Sequence, residues 1–343
     1  MRVIATTLTA TAVLLAAAGS AQAAPAGLTQ EDGFYGPANP QTLSYSEARR
    51  TWTADRIAAA QPLPSDVAVP GTSPRPKAAP TPSLLGAATP QTLKANILKN
   101  PTTYPNRLHG KLVGTFEGLG DYACSATVVT SGSGSLLTTA GHCAYDVQSG
   151  TIASNLAFAP GYSKDSVPLG VWPISNLIVD KAWAKKGKLD YDYSMMRTLV
   201  SPFGTLQSVV GSRGIGFNLK RKQRLQAYGY PAKGRKQYDG DKLVLCTSGY
   251  IGDPYDNGGP RGRGMHCDQQ QGSSGGGWVA DKKYVVSNTS HGYPQLSNNL
   301  FFGPYYGNAV RNMYKANTSF WPSIGPVKKK GKVPDKVGPK RGL

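Results

Sequence analysis

The chain has 343 residues, 39% of them hydrophobic, with 41 Gly, 26 Pro and 18 Tyr. That apolar content is enough for a folded core and too low for a polytopic membrane protein, and no Gly-X-Y period marks collagen. The net charge is +19, and about a third of the excess falls in residues 326–343, which hold seven basic residues and one acidic one.

The N-terminus opens with Arg2, an apolar run at 3–18 broken only by threonines, and Ala21-Gln22-Ala23. This order predicts a secretory signal over 1–23, cut after Ala23. The run falls short of the ~20 apolar residues of a spanning helix, and no later stretch is long enough, so no membrane span is expected. Export makes disulfides expected for Cys124, Cys143, Cys246 and Cys267. Four cysteines allow three pairings, and near-neighbour pairs, Cys124 with Cys143 and Cys246 with Cys267, are the simplest. No C-x-x-C pair occurs, so no structural zinc site is expected.

Residues 24–105 hold 13 of the 26 prolines and read as a Pro/Ala-rich pro-segment or linker. A helix is expected within 44–60, where Ser44 and Glu47 have capping-box spacing. After Tyr104, short apolar runs separated by Gly, Asn, Asp and Pro predict strands near 110–116, 123–129, 135–139, 174–179, 193–199, 224–230, 243–250, 277–279, 284–288 and 299–302. Such a series indicates an all-β sandwich or a pair of barrels. A short helix near 308–315 ends this domain, expected over 106–324. The Lys/Gly/Pro tail 325–343 reads as disordered.

Three local patterns carry chemistry. In Thr138-Thr139-Ala140-Gly141-His142-Cys143 a strand ends in small residues and presents a histidine. In Asp190-Tyr191-Asp192-Tyr193-Ser194-Met195 acids open an apolar strand. In Gly272-Ser273-Ser274-Gly275-Gly276 a serine sits in a glycine-rich turn. A serine hydroxyl needs a base to become a nucleophile, imidazole is that base near neutral pH, and a buried carboxylate fixes the imidazole tautomer. Backbone N–H groups beside the serine, those of Gly272 and Ser274, would meet an oxyanion.

The order His, Asp, Ser is that of the chymotrypsin-like serine peptidases. Thr139-Ala140-Gly141-His142-Cys143 resembles the family's T-A-A-H-C motif, Asp192-Tyr193-Ser194-Met195 its D-x-A-L strand, and Gly272-Ser273-Ser274-Gly275-Gly276 its G-D-S-G-G turn. Cys124 resembles the strand cysteine that pairs with the one after the histidine. Ala227-Tyr228-Gly229-Tyr230-Pro231 and Asn308-Ala309-Val310-Arg311-Asn312-Met313-Tyr314 resemble the G-Y-P strand and C-terminal helix of the bacterial glutamyl-endopeptidase (V8-like) branch. The resemblance covers roughly 105–320. It implies two packed six-stranded antiparallel β-barrels and a triad of His142, Asp192 and Ser274. Asp190 competes with Asp192, and Ser273 with Ser274; the family spacing favours Asp192 and Ser274. Ser273 stands where animal trypsins carry Asp, so activation through that ion pair is not expected.

For specificity, Asp268 lies at the offset where the trypsin branch carries its pocket acid, which favours P1 Lys or Arg. His291, within Ser290-His291-Gly292 of the specificity strand, offers an alternative reader of Glu. His109 and His266 read as surface histidines. The basic clusters at 220–224 and 233–236, like the tail, read as solvated or as adhering to an acidic cell-surface polymer. The whole reads as a secreted, monomeric serine endopeptidase, zymogen-like, needing no metal or cofactor and acting on polypeptides, with no specific nucleic-acid partner. The alternatives are an inactive homologue acting as a basic binding module, and a serine esterase.

Overall fold

The structure is a computed structural model that describes residues 28–31, 34–37, 42–63, 75–76, 95–164, 166–293, 296–297, 299–319 and 333–343. The expected signal segment, the Pro-rich residues 64–74 and 77–94, and Lys328-Lys329-Lys330 lie outside them.

Between His109 and Thr198 the apolar runs become six antiparallel strands: His109–Phe116, Gly120–Val128, Leu136–Thr139, Ser154–Pro160, Trp172–Asp180 and Ser194–Thr198. Each pairs with two neighbours, and the pairing of Trp172–Asp180 with Ser194–Thr198 closes the ring. A closed barrel has no free edge, and its interior is filled by side chains such as Leu112, Cys124, Leu137, Phe158 and Met196.

The second half is built mainly from two sheets, with a small third that pairs Tyr255–Asp256 with Arg75–Pro76. The larger contains Gly214–Gly216, Tyr284–Asn288, Gly277–Ala280, Arg224–Gly229 and Val244–Gly249, with Lys336–Val337 and Asn96–Ile97 at its edges. The smaller contains Ile251–Gly252, Arg263–His266 and Leu300–Gly303. The Cys246–Cys267 disulfide staples one sheet to the other. The molecule is thus mostly β, as the strand-and-turn pattern implies. No helix among the described residues is long and apolar enough to cross a membrane.

The halves meet along a buried polar seam. His109 is buried there, not on the surface as its sequence context implies. Its ring stacks on Tyr228 with centroids 3.9 Å apart, and its Nε2 accepts from Arg213 Nε at 3.3 Å. Nδ1 therefore carries the hydrogen and donates to Thr127 Oγ1 at 2.9 Å, which also accepts the Gly277 N–H. Burial, aided by the facing Arg213, lowers the His109 pKa well below its usual value. His266 is half-buried.

Two segments that composition marks as loose are partly folded. In the first, the expected helix over 44–60 is split into Tyr45–Thr51 and Ala54–Ala59, because Thr53 caps a new start by accepting the Arg56 N–H. Ser44 and Glu47 form the expected capping box. The pair lies on the first barrel: Trp52 and Ile57 are fully buried, Trp52 Nε1 donates to Asn155 O at 2.6 Å, and Arg56 pairs with Asp121 at 2.7 Å. In the second, residues 333–343 pair with the second half. Ile215 is registered with Val337, Ser212 exchanges backbone hydrogen bonds with Lys340, and Arg107 donates to Leu343 O. Strand addition uses backbone groups, so a Lys/Gly/Pro composition does not prevent it. The C-terminal helix runs Asn308–Ser319 and buries Val310, Met313 and Tyr314.

Trp52→Ala should cost about 3–5 kcal/mol in a denaturant titration, the range for truncating a buried aromatic. Unchanged stability would contradict the docking of this segment.

Candidate active site

His142 stands in one tight turn after the strand Leu136–Thr139, where the Ala144 and Tyr145 N–H groups both donate to Gly141 O at 2.9 Å. The next residue, Cys143, is bonded to Cys124 in the neighbouring strand, which fixes the turn to the barrel wall. Gly141 replaces the alanine of the resembling motif for a steric reason. A Cβ there would lie 2.8 Å from Trp183 Cδ1 and 3.0 Å from Asp192 Oδ1.

Asp192 follows the short turn Leu189–Tyr191 and precedes the strand Ser194–Thr198, so it lies beside the His142 turn through strand pairing. Its Oδ1 accepts the His142 backbone N–H at 2.8 Å. Its Oδ2 accepts the Ser290 hydroxyl at 2.6 Å and faces His142 Nδ1 at 2.8 Å, so that nitrogen carries the ring hydrogen. Asn288 Nδ2 donates to the Asp192 carbonyl at 3.1 Å. Asp192 is fully buried. Burial alone would raise its carboxyl, but the facing His142 and these donors outweigh it and hold the group below its usual range. Asp190 does a different job: its Oδ2 accepts the Gly259 N–H at 3.0 Å and tethers the 253–262 loop.

The serine turn crosses from the second half onto the first barrel. Ser274 O accepts the Ser125 N–H at 2.7 Å, and Ser125 Oγ donates to Gly272 O at 2.9 Å. Gly275, at φ +80°, lies so close to the His142 strand that a Cβ would come within 2.0 Å of Thr139 Oγ1. Ser273 is spent locally, its Oγ donating to Gln270 O at 2.6 Å. Ser274 Oγ and His142 Nε2 are both buried and, among the described residues, without a hydrogen-bond partner. Each is free to engage a reacting group. Among the described residues the Gly272 and Ser274 N–H groups donate to no carbonyl, while the N–H groups of Ser273, Gly275 and Gly276 all do.

The two residues singled out for specificity are paired internally. Asp268 accepts the Tyr238 hydroxyl at 2.9 Å and forms an ion pair with Arg235. His291 is buried between Ser290 and Tyr293. Gly292 follows it, half-buried. Cys124, His142 and Cys143 lie close together, as do Cys246, Cys267 and Asp268, but all four sulfurs are in disulfides and none is a thiolate. Sequence reasoning missed Ser125, whose hydroxyl and amide clamp the serine turn. The only signal for it is its position next to Cys124.

No protein-family model and no curated protein matches the chain. Solved structures do. A thermostable serine protease, AL20, from an extremophilic microorganism is 32% identical with a TM-score of 0.56, over 62% of this chain and 98% of that one. The protease Anisep from Arthrobacter nicotinovorans is 31% identical with a TM-score of 0.57, over 64% of this chain and 98% of that one. A Glu endopeptidase in complex with MPD, at 16% identity and TM-score 0.53 over 66% and 97%, shares the fold.

Gly141→Ala should destabilise the protein by about 1–3 kcal/mol and slow any reaction that uses His142, because the new methyl must displace Trp183 or Asp192. Thermal unfolding equal to that of the parent would contradict the close approach.

Proposed function

The chain belongs to the chymotrypsin-like serine protease family, and from that premise we propose that it is a secreted serine endopeptidase acting through Ser274, His142 and Asp192. The observation that carries this reading is the pair of buried, unpartnered atoms at the seam, Ser274 Oγ and His142 Nε2, with the opposite ring nitrogen tied to a buried carboxylate.

Ser274 Oγ attacks the scissile carbonyl and its proton passes to His142 Nε2. Asp192 holds the ring in the tautomer that leaves Nε2 able to accept, and stabilises the imidazolium that forms. The oxyanion is met by the Gly272 and Ser274 N–H groups. His142 then protonates the leaving amine, and water hydrolyses the acyl-enzyme by the same route in reverse. The two disulfides favour action in an oxidising, extracellular setting.

For P1, a basic preference needs an uncompensated acid at Asp268. Arg235 and Tyr238 occupy that carboxylate, and His291 is equally engaged, so the proposal is an S1 site without a free charge.

Two experiments test this. Ser274→Ala and Asp192→Asn should each lower kcat/KM on a peptide substrate by about 10⁴-fold or more, while Ser273→Ala retains activity. Undiminished cleavage by Ser274→Ala would exclude the mechanism, and a folded parent that cleaves nothing would favour the binding-module alternative. In a P1 series, uncharged residues should be cut best. Arg235→Ala, which unmasks Asp268, should raise kcat/KM for Lys and Arg by about tenfold. No change would place Asp268 outside S1.

A further inference from the structure

The hydrogen bonds that grip Asp192 continue beyond Ser290. Ser290 Oγ is 2.6 Å from Asp192 Oδ2 and 2.8 Å from His291 Nδ1. His291 Nε2 is 3.0 Å from Tyr293 Oη, which is 2.9 and 3.0 Å from the two oxygens of Asp253. Asn257 Nδ2 donates to both Tyr293 Oη and Asp253 Oδ2, each at 2.8 Å. Ser290, His291, Tyr293 and Asp253 are all at most 5% exposed. The run joins the proposed catalytic carboxylate to a second buried carboxylate through one hydroxyl, one imidazole and one phenol, and the mechanism above uses nothing beyond Ser290.

Counting hydrogens orients the inner part of the run. A carboxylate only accepts, so the single Ser290 hydroxyl hydrogen points to Asp192. Ser290 Oγ then shows His291 only lone pairs, and Nδ1 must be the donor. The ring has no freedom to swing away. Its backbone exchanges hydrogen bonds with Phe302, at 3.1 Å from His291 N and 2.8 Å to His291 O. One ring face lies over Phe302, with centroids 5.9 Å apart, and Tyr293 meets the ring edge-on at 4.9 Å. The outer end belongs to the 253–262 loop, which Asp190 also holds through the Gly259 N–H.

We propose that His291 is a positioning residue of this site: its Nδ1–H fixes the Ser290 hydroxyl and so aims the Ser290 hydrogen at Asp192, while Tyr293 and Asp253 anchor the ring. The proposal rests on the peptidase reading above. Without the donor, the Ser290 oxygen is left with a buried unsatisfied lone pair, and its hydroxyl can turn from Asp192 to another acceptor. Asp192 then holds His142 less tightly. The expected loss falls on turnover and not on substrate binding, because His291 meets the reaction only through Ser290 and Asp192.

The test compares two replacements in the full processed protein. In His291→Phe the ring volume stays and the donor goes. In His291→Asn, Nδ2 stands close to the former Nδ1 and can still donate. His291→Phe should lower kcat about tenfold with KM unchanged, the weight of one buried hydrogen bond, and His291→Asn should recover most of that loss. Tyr293→Phe, which removes only the anchoring oxygen, should lower kcat in the same direction by less. Equal losses in His291→Phe and His291→Asn, or a change confined to KM, would overturn the proposal. A second readout needs neither turnover nor a folded His291 variant. Long-range ¹H–¹⁵N spectra of the histidine rings in Ser274→Ala protein should show hydrogen on His291 Nδ1, and a bare Nδ1 would overturn the proposal. If the parent cleaves peptides and His291→Phe matches it, the positioning role is wrong and the peptidase reading stands. If the folded parent cleaves no peptide, the peptidase reading fails and the positioning role falls with it.

Discussion

A carboxylate with no access to water has to be satisfied by the protein around it. Leaving Asp192 unpaired would cost on the order of several kcal/mol. Three donors reach its oxygens: two from His142, on the first barrel, and one from Ser290, in the second half. A fourth, Asn288, reaches its carbonyl from the second half. Asp192 is therefore fully satisfied only when both halves are docked, because Ser290 and Asn288 complete from the second half what His142 begins on the first. Fold and site are linked through this one residue.

The serine turn repeats that logic from the other side. Ser274 belongs to the second half, yet its carbonyl and that of Gly272 are held by Ser125 on the first barrel. Further along the seam, His109 and Thr127 meet Arg213, Tyr228 and Gly277. Elements at both ends of the chain add to the clamp. The Tyr45–Thr51 and Ala54–Ala59 helices brace the first barrel through Trp52, and Tyr314 of the C-terminal helix donates to Thr130 at 2.9 Å. The family assignment fits this arrangement, because the chain shares its fold with solved proteases.

What is legible in the sequence is what is local. A histidine next to a cysteine after an apolar strand, an acid opening a strand and a serine among glycines each fit in a few residues, and the disulfide partners are near neighbours. Asp192 can be favoured over Asp190 from its spacing to Ser194, and the structure puts Asp192 against His142 and Asp190 against Gly259. What is not legible is long-range and polar. Nothing around Asp253, Asn257 or Tyr293 marks them as part of the network behind Asp192, because their partners come from other segments and single polar residues have no period. His109 passes for a surface histidine because its buriers, Tyr228 and Arg213, lie more than a hundred residues away. Asp268 and His291 keep the identities that suggest a charged pocket, but Arg235 and the Tyr293–Asp253 pair engage them first. Composition likewise carries no sign of the backbone pairing that holds 336–340 against 212–216.

The account stands on Ser274 being an activated nucleophile. The most direct measurement is to treat the folded, processed protein with a fluorophosphonate and locate the adduct by peptide mass spectrometry. The account expects one adduct, on Ser274, lost in His142→Ala although the serine remains. An adduct on Ser273 or elsewhere, or no adduct on the folded protein, would contradict it.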